Sequence, residues 1–119
     1  MKIAISAQGK DTSSQTDPRF GRAKYFIVVD SETGAFVAHD NAQNLNAPQG
    51  AGIQAAKNIS DFGAKVVVSG NVGPKAFAAL SSAGIEVYTG AMGSVLEALN
   101  AFKAGTLNKN EKANVEGHW

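Results

Sequence analysis

Near residue 50 the apolar pattern of the chain changes period, and that change fixes the class of fold open to it. Before it, apolar residues come in short runs. Lys2 to Ser6 (KIAIS), Lys24 to Asp30 (KYFIVVD) and Ala35 to His39 read as strands, the second nearly continuous as for a strand covered on both faces. Ser31-Glu32-Thr33-Gly34 reads as the hairpin turn between the last two. After residue 50, runs alternate with helical spacing. Ile53, Ala55, Ala56, Ile59 and Phe62 form one stripe, with Gly63 at the position of a helix-ending glycine. Lys65 to Val68 is a buried-type strand, and Pro74 opens a helix with Phe77, Leu80 and Ala83 facing inward before Gly84. Ile85 to Tyr88 is a further strand. Ser94 and Glu97 then form a capping box for a helix whose inner face is Val95, Leu99 and Phe102.

Strand–helix crossovers join parallel strands, and hairpins join antiparallel ones. The expected architecture is therefore α/β, with the order βββαβαβα and a single mixed five-stranded sheet carrying helices on both faces. Residues 1–107 are expected to form one domain and 108–119 a mobile polar tail without periodicity.

A chain of 119 residues accommodates one domain, and 44% hydrophobic residues supply one core. A formal net charge of +1 does not suggest nucleic acid or an anionic membrane as partner. With no cysteine, the chain has no disulfides, no thiolate zinc site and no iron–sulfur cluster on its own thiolates. MKIAISAQG contains no signal-peptide core and no apolar run reaches membrane-spanning length, so a cytoplasmic location is expected.

Ligands of such sheets bind beyond the carboxyl ends of the parallel strands. Four segments should converge there: 8–19, 40–50, 69–73 and 89–93. The last three run into helix N-termini and are expected to present unpaired N–H groups to an anion. Gly70, Gly73, Gly90 and Gly93 would admit a bulky ligand, or would simply make tight strand–helix turns. Neither a dinucleotide fingerprint nor a P-loop is present. Arg19 and Arg22 bracket Phe20-Gly21 and could grip an anion, remain solvated, or pair with Asp17. His39 and His118 have no partner at metal-ligand spacing, and Met92 is either a soft sulfur donor or a gap-filler. No nucleophile elbow stands in the sequence, and no pair of carboxylates ends the first strand. The pattern is that of a binder rather than an enzyme.

Four segments resemble the dinitrogenase iron–molybdenum cofactor biosynthesis family, with its NifX-like and NifB C-terminal-like domains. They are Asp17-Pro18-Arg19-Phe20-Gly21-Arg22-Ala23 before a Tyr-Phe strand, and Gly50-Ala51-Gly52-Ile53-Gln54-Ala55-Ala56. Ser69-Gly70-Asn71-Val72-Gly73-Pro74 with Ala76-Phe77, and Ala83-Gly84-Ile85 with Val87-Tyr88 and Gly90, complete the set. The resemblance implies a ribonuclease H-like fold without nuclease activity. It also implies a carrier or chaperone of an anionic molybdenum- or iron-containing sulfide cluster, of iron–molybdenum or molybdenum–copper type, held non-covalently. The implied site is Arg19, Phe20, Gly21, Arg22, Gly50, Gly70, Asn71, Val72, Gly73, Gly90, Met92 and Gly93, with His118 of the tail as a possible metal ligand. Arg19, Gln49 and Val72 stand where relatives carry His, His and Cys, which favours anion binding over direct metal coordination. An ATPase of cluster assembly or a recipient protein is the implied partner. The alternative is a metal-free interaction or regulatory protein in metal-cluster assembly, using the same edge. An enzyme or nucleotide-binding module acting on a small phosphorylated ligand is a third class, against which the lack of a general acid–base pair counts.

Overall fold

A computed structural model describes residues 1–41 and 50–112. Its elements run β1 (Lys2–Ala7), β2 (Tyr25–Asp30), β3 (Phe36–Asp40), α1 (Ala51–Asp61), β4 (Ala64–Val68), α2 (Pro74–Ser82), β5 (Glu86–Thr89), α3 (Val95–Ala104) and β6 (Asn108–Asn110). They build one sheet in the order β3-β2-β1-β4-β5-β6. β1, β2 and β3 pair antiparallel, β1, β4 and β5 parallel, and β6 returns antiparallel on β5.

The sheet thus has six strands where five were expected. The sixth falls in the segment read as a polar tail. Asn-Lys-Asn has no apolar alternation to announce a strand, and polar or charged residues are common on sheet edges. Its neighbours hold it instead. Thr89 Oγ1 donates to Asn110 Oδ1 at 2.7 Å, and Lys109 Nζ lies 3.4 Å from Glu86 Oε1.

Helices cover both faces, as the pattern required. Ala4, Phe26, Val28, Val67 and Val87 point to α1 and α2, whose Ala55, Ala56, Ile59, Ala76 and Leu80 close that layer. Ile3, Ile5, Ile27, Val29, Val66 and Val68 point the other way, under Val95, Ala98 and Leu99 of α3. Period-two alternation in the central strands produces this division. Ala83, expected inward, is exposed beyond the end of α2, because that helix stops at Ser82. Helices α1 and α2 run close together at their N-terminal ends, where a Cβ on Gly52 would stand 2.8 Å from Ala76 Cβ.

His39 on β3 stacks on Phe62 at the end of α1, with ring centroids 3.6 Å apart and planes 11° from parallel. Burial, and then the charge of Lys2, hold its pKa below the ordinary 6.5. The folded state therefore binds fewer protons at His39 than the unfolded state does. This contribution to stability is complete above the unfolded pKa and is lost as pH falls through the folded one. The urea midpoint is expected to decline below about pH 6.5, and His39→Gln should flatten that part of the profile.

Candidate functional site

The connection between β1 and β2 crosses the carboxyl edge of the parallel strands and is stitched to it throughout. Thr16 donates through its N–H and Oγ1 to Gly93 O at 2.9 and 3.1 Å. Ser6 Oγ, fully buried, donates to Asp17 O at 2.7 Å and lies 2.9 Å from Ser69 Oγ. Asn71 Nδ2 donates to Pro18 O at 3.1 Å, and Phe20 N–H to Asn71 O at 3.2 Å. Gly70 is required here, since a Cβ would stand 2.7 Å from Pro18 Cα.

Beyond this crossing the chain dives into the core. Phe20 is fully buried with its ring centroid 5.1 Å from that of Phe26. Gly21 follows against α1, where a Cβ would stand 2.7 Å from both N and Cα of Gly52. Asn41 Nδ2 donates to Ala23 O at 2.8 Å and to Gly21 O at 3.3 Å, fixing the exit of the turn. Arg19 is thereby set beside the loop before α2 and Gly21 against the first turn of α1, with Arg22 next in the chain.

The helix starts are not equivalent. The start of α3, expected to be anion-receptive, is closed by the protein itself. Ser94 Oγ accepts from Glu97 N–H and the Glu97 carboxylate from Ser94 N–H, both at 3.1 Å. Val95 and Leu96 donate their N–H groups to Ser14 and Thr12 carbonyls at 2.9 Å. No donor of that first turn is left for a ligand. Ser94→Ala is expected to reduce stability by about 1 kcal/mol, read as a lower denaturant midpoint. Helix α2 differs: its N-cap is Gly73, it has no side-chain cap and no acidic residue in its first turn. The N–H groups of Lys75 and Ala76 have no acceptor among the described residues. Helix α1 likewise has no side-chain cap or acidic first turn, and Gly50 precedes it in a left-handed conformation.

The residues singled out from the sequence therefore divide. Arg19, Arg22, Gly50, Gly70, Asn71 and Gly73 lie on the strap, the loop after β4, or the helix starts beside them. Phe20 and Val72 belong to the core, so neither side chain faces the edge. Gly90 and Gly93 have positive φ and shape the loop before α3, where Gly90 N–H donates to Gly70 O at 3.2 Å. Met92 on that loop is 80% exposed. Gln49 and His118 lie outside the described residues, as does most of segment 40–50. β6 runs away from the carboxyl edge, pairing first Asn108 with Thr89 and then Asn110 with Val87.

Arg19 takes the Asp17 alternative in part. Its Nε stands 3.7 Å from Asp17 Oδ1, while its side chain is 45% exposed and that of Asp17 only 4%. The same Oδ1 accepts from Arg19 N–H at 2.9 Å. Sequence reasoning missed the buried Ser6–Ser69 hydroxyl pair and the role of Thr16. Only the odd placing of serines at the ends of two apolar strands hints at them. Among the described residues no three His, Cys, Asp or Glu side chains come together to hold a metal ion. The edge offers cationic and N–H donors and, in Met92, one exposed sulfur. Such a donor set suits an anion whose metals are already ligated by its own sulfides.

A family model described as dinitrogenase iron–molybdenum cofactor matches residues 1–105. The structure is similar to that of the apo orange protein from Desulfovibrio gigas, with a TM-score of 0.93, 40% identity and 96% of each chain covered. A Thermotoga protein provisionally described as NifB superposes with a TM-score of 0.85 at 35% identity, covering 98% of each chain. An uncharacterised protein of Methanocaldococcus jannaschii is 31% identical over 113 residues, which is 93% of this chain and 92% of that one.

Proposed function

This chain belongs to the dinitrogenase iron–molybdenum cofactor family, and on that premise we propose that it is a non-catalytic carrier of an anionic metal–sulfur cluster. The cluster would be of iron–molybdenum or molybdenum–copper type, or a precursor of one, bound without a covalent link to the protein. One observation carries the reading: an open α2 start follows the loop that Arg19 bridges at Asn71, with Arg22 three residues further along the same connection, while the α3 start on the same sheet edge is sealed. An uncapped first turn concentrates partial positive charge and free N–H donors, and two arginines add full charges to it.

When bound, the cluster supplies its own sulfides to its metals. The protein's part is then to orient it through Arg19, Arg22 and the backbone of residues 70–76, and to neutralise its charge. The order of the first five strands supports the ribonuclease H-like label. The binding domain in this reading runs past the expected end at 107 to include β6, in a cytoplasmic protein. Met92 and Leu96, 80% and 49% exposed, flank the sealed helix start and offer an apolar contact to a recipient or a cluster-assembly ATPase. The same exposed pair favours the second reading, a metal-free interaction protein.

Anaerobic titration with tetrathiomolybdate, alone and with copper or iron, tests the carrier reading. A stoichiometric chromophore retained through desalting is expected. No retained metal under any combination would leave the interaction protein as the better account.

A further inference from the structure

We infer that Asp17 is a built-in counter-charge that limits how tightly the site holds an anion and so favours release of the cargo. The inference rests on the proposed function for the nature of that cargo. The Asp17 side chain is 4% exposed, directly behind an Arg19 that is 45% exposed. Its oxygen caps the turn by accepting from Arg19 N–H at 2.9 Å. That cap needs an acceptor oxygen, and asparagine would supply one in the same place.

The charge goes beyond the cap. Burying a carboxylate is unfavourable, and its cationic partner is a single Nε at 3.7 Å on a half-exposed side chain. Pairs of that geometry contribute little to stability, so the fold does not explain why a charge is kept there. Its field does reach the ligand. Arg19 meets Asp17 through Nε, which leaves its Nη fork for an anion at the edge. That anion then lies within about 9 Å of the buried carboxylate and must share Arg19 with it. A counter-charge so placed weakens every anionic ligand, and a dianion twice as much as a monoanion.

Asp17→Asn isolates the charge while keeping the cap. At low salt a dianion is expected to bind at least about fivefold more tightly, the gain expected even at the dielectric of bulk water. Dissociation should slow correspondingly. The measurement is the affinity and release rate of tetrathiomolybdate, with thermal stabilisation by sulfate as a second readout. Asp17→Ser, which also retains an acceptor oxygen, replaces the asparagine variant if that one does not fold. Equal or weaker tetrathiomolybdate binding in a folded, uncharged variant would overturn the inference. If the parent retains no tetrathiomolybdate, the carrier reading fails and sulfate decides the inference alone. A larger sulfate-induced rise in Tm in the variant supports it, and an equal or smaller rise overturns it.

Discussion

Replacing Arg19 and Arg22 together by alanine is expected to abolish retention of tetrathiomolybdate while leaving the chain folded. Arg19 is about half exposed, and among the described residues its guanidinium pairs with Asp17. Removing it deprives the core of nothing. Arg22 is half-buried and makes contacts of its own, so the double variant should unfold at a slightly lower temperature. Each hydrogen bond to a charged group is worth about 1.5–3 kcal/mol, so losing two lowers affinity by about a hundredfold or more. The single variants should each lose part of this, and binding by the parent should weaken as salt is added. Equilibrium dialysis with metal analysis reads all three. Undiminished binding by the double variant would place the ligand elsewhere, the exposed Met92 loop being the next place to look.

The fold was largely legible because its signals are apolar and periodic. KYFIVVD is buried on both faces, and Ala55, Ala56 and Ile59 bury one face of their helix. Ile53, expected in the same stripe, is exposed because it lies at the open N-terminal end. Glycines at 63 and 84 mark the helix ends with positive φ. β6 was not legible, because three polar residues become a strand only where β5 offers an open edge. The proposed site was read from its arginines and its glycines, since those residue types state their chemistry. Which helix start is open was not. Closure of α3 depends on carbonyls of Thr12 and Ser14, about eighty positions away in the chain, and no local pattern encodes that meeting. Phe20 misled for the same reason. A phenylalanine between two arginines reads as part of a binding motif, and only the packing shows its ring among the core residues.

That burial makes Phe20→Ala one of the most damaging single substitutions expected among the described residues. The ring is fully buried beside Phe26, in the layer under α1 and α2, and its removal leaves a cavity that neighbouring β-strand backbones cannot close. Truncations of this kind cost about 3–5 kcal/mol, a large share of the 5–15 kcal/mol typical of a whole domain. The effect reaches the site as well, because Phe20 anchors the strap between Arg19 and Gly21. Without the ring, the turn is left to its backbone and Asn41 hydrogen bonds and to the fit of Gly21 on Gly52. A steep fall in the urea midpoint is expected, together with weaker tetrathiomolybdate binding at temperatures where the variant remains folded. Phe20→Leu separates anchoring from contact. Leucine refills most of the space at a cost of about 1 kcal/mol, so it should keep the strap seated and restore binding to near the parent value. Stability restored without binding would mean instead that the ring itself meets the ligand, and the turn would then have to open for the cluster to enter.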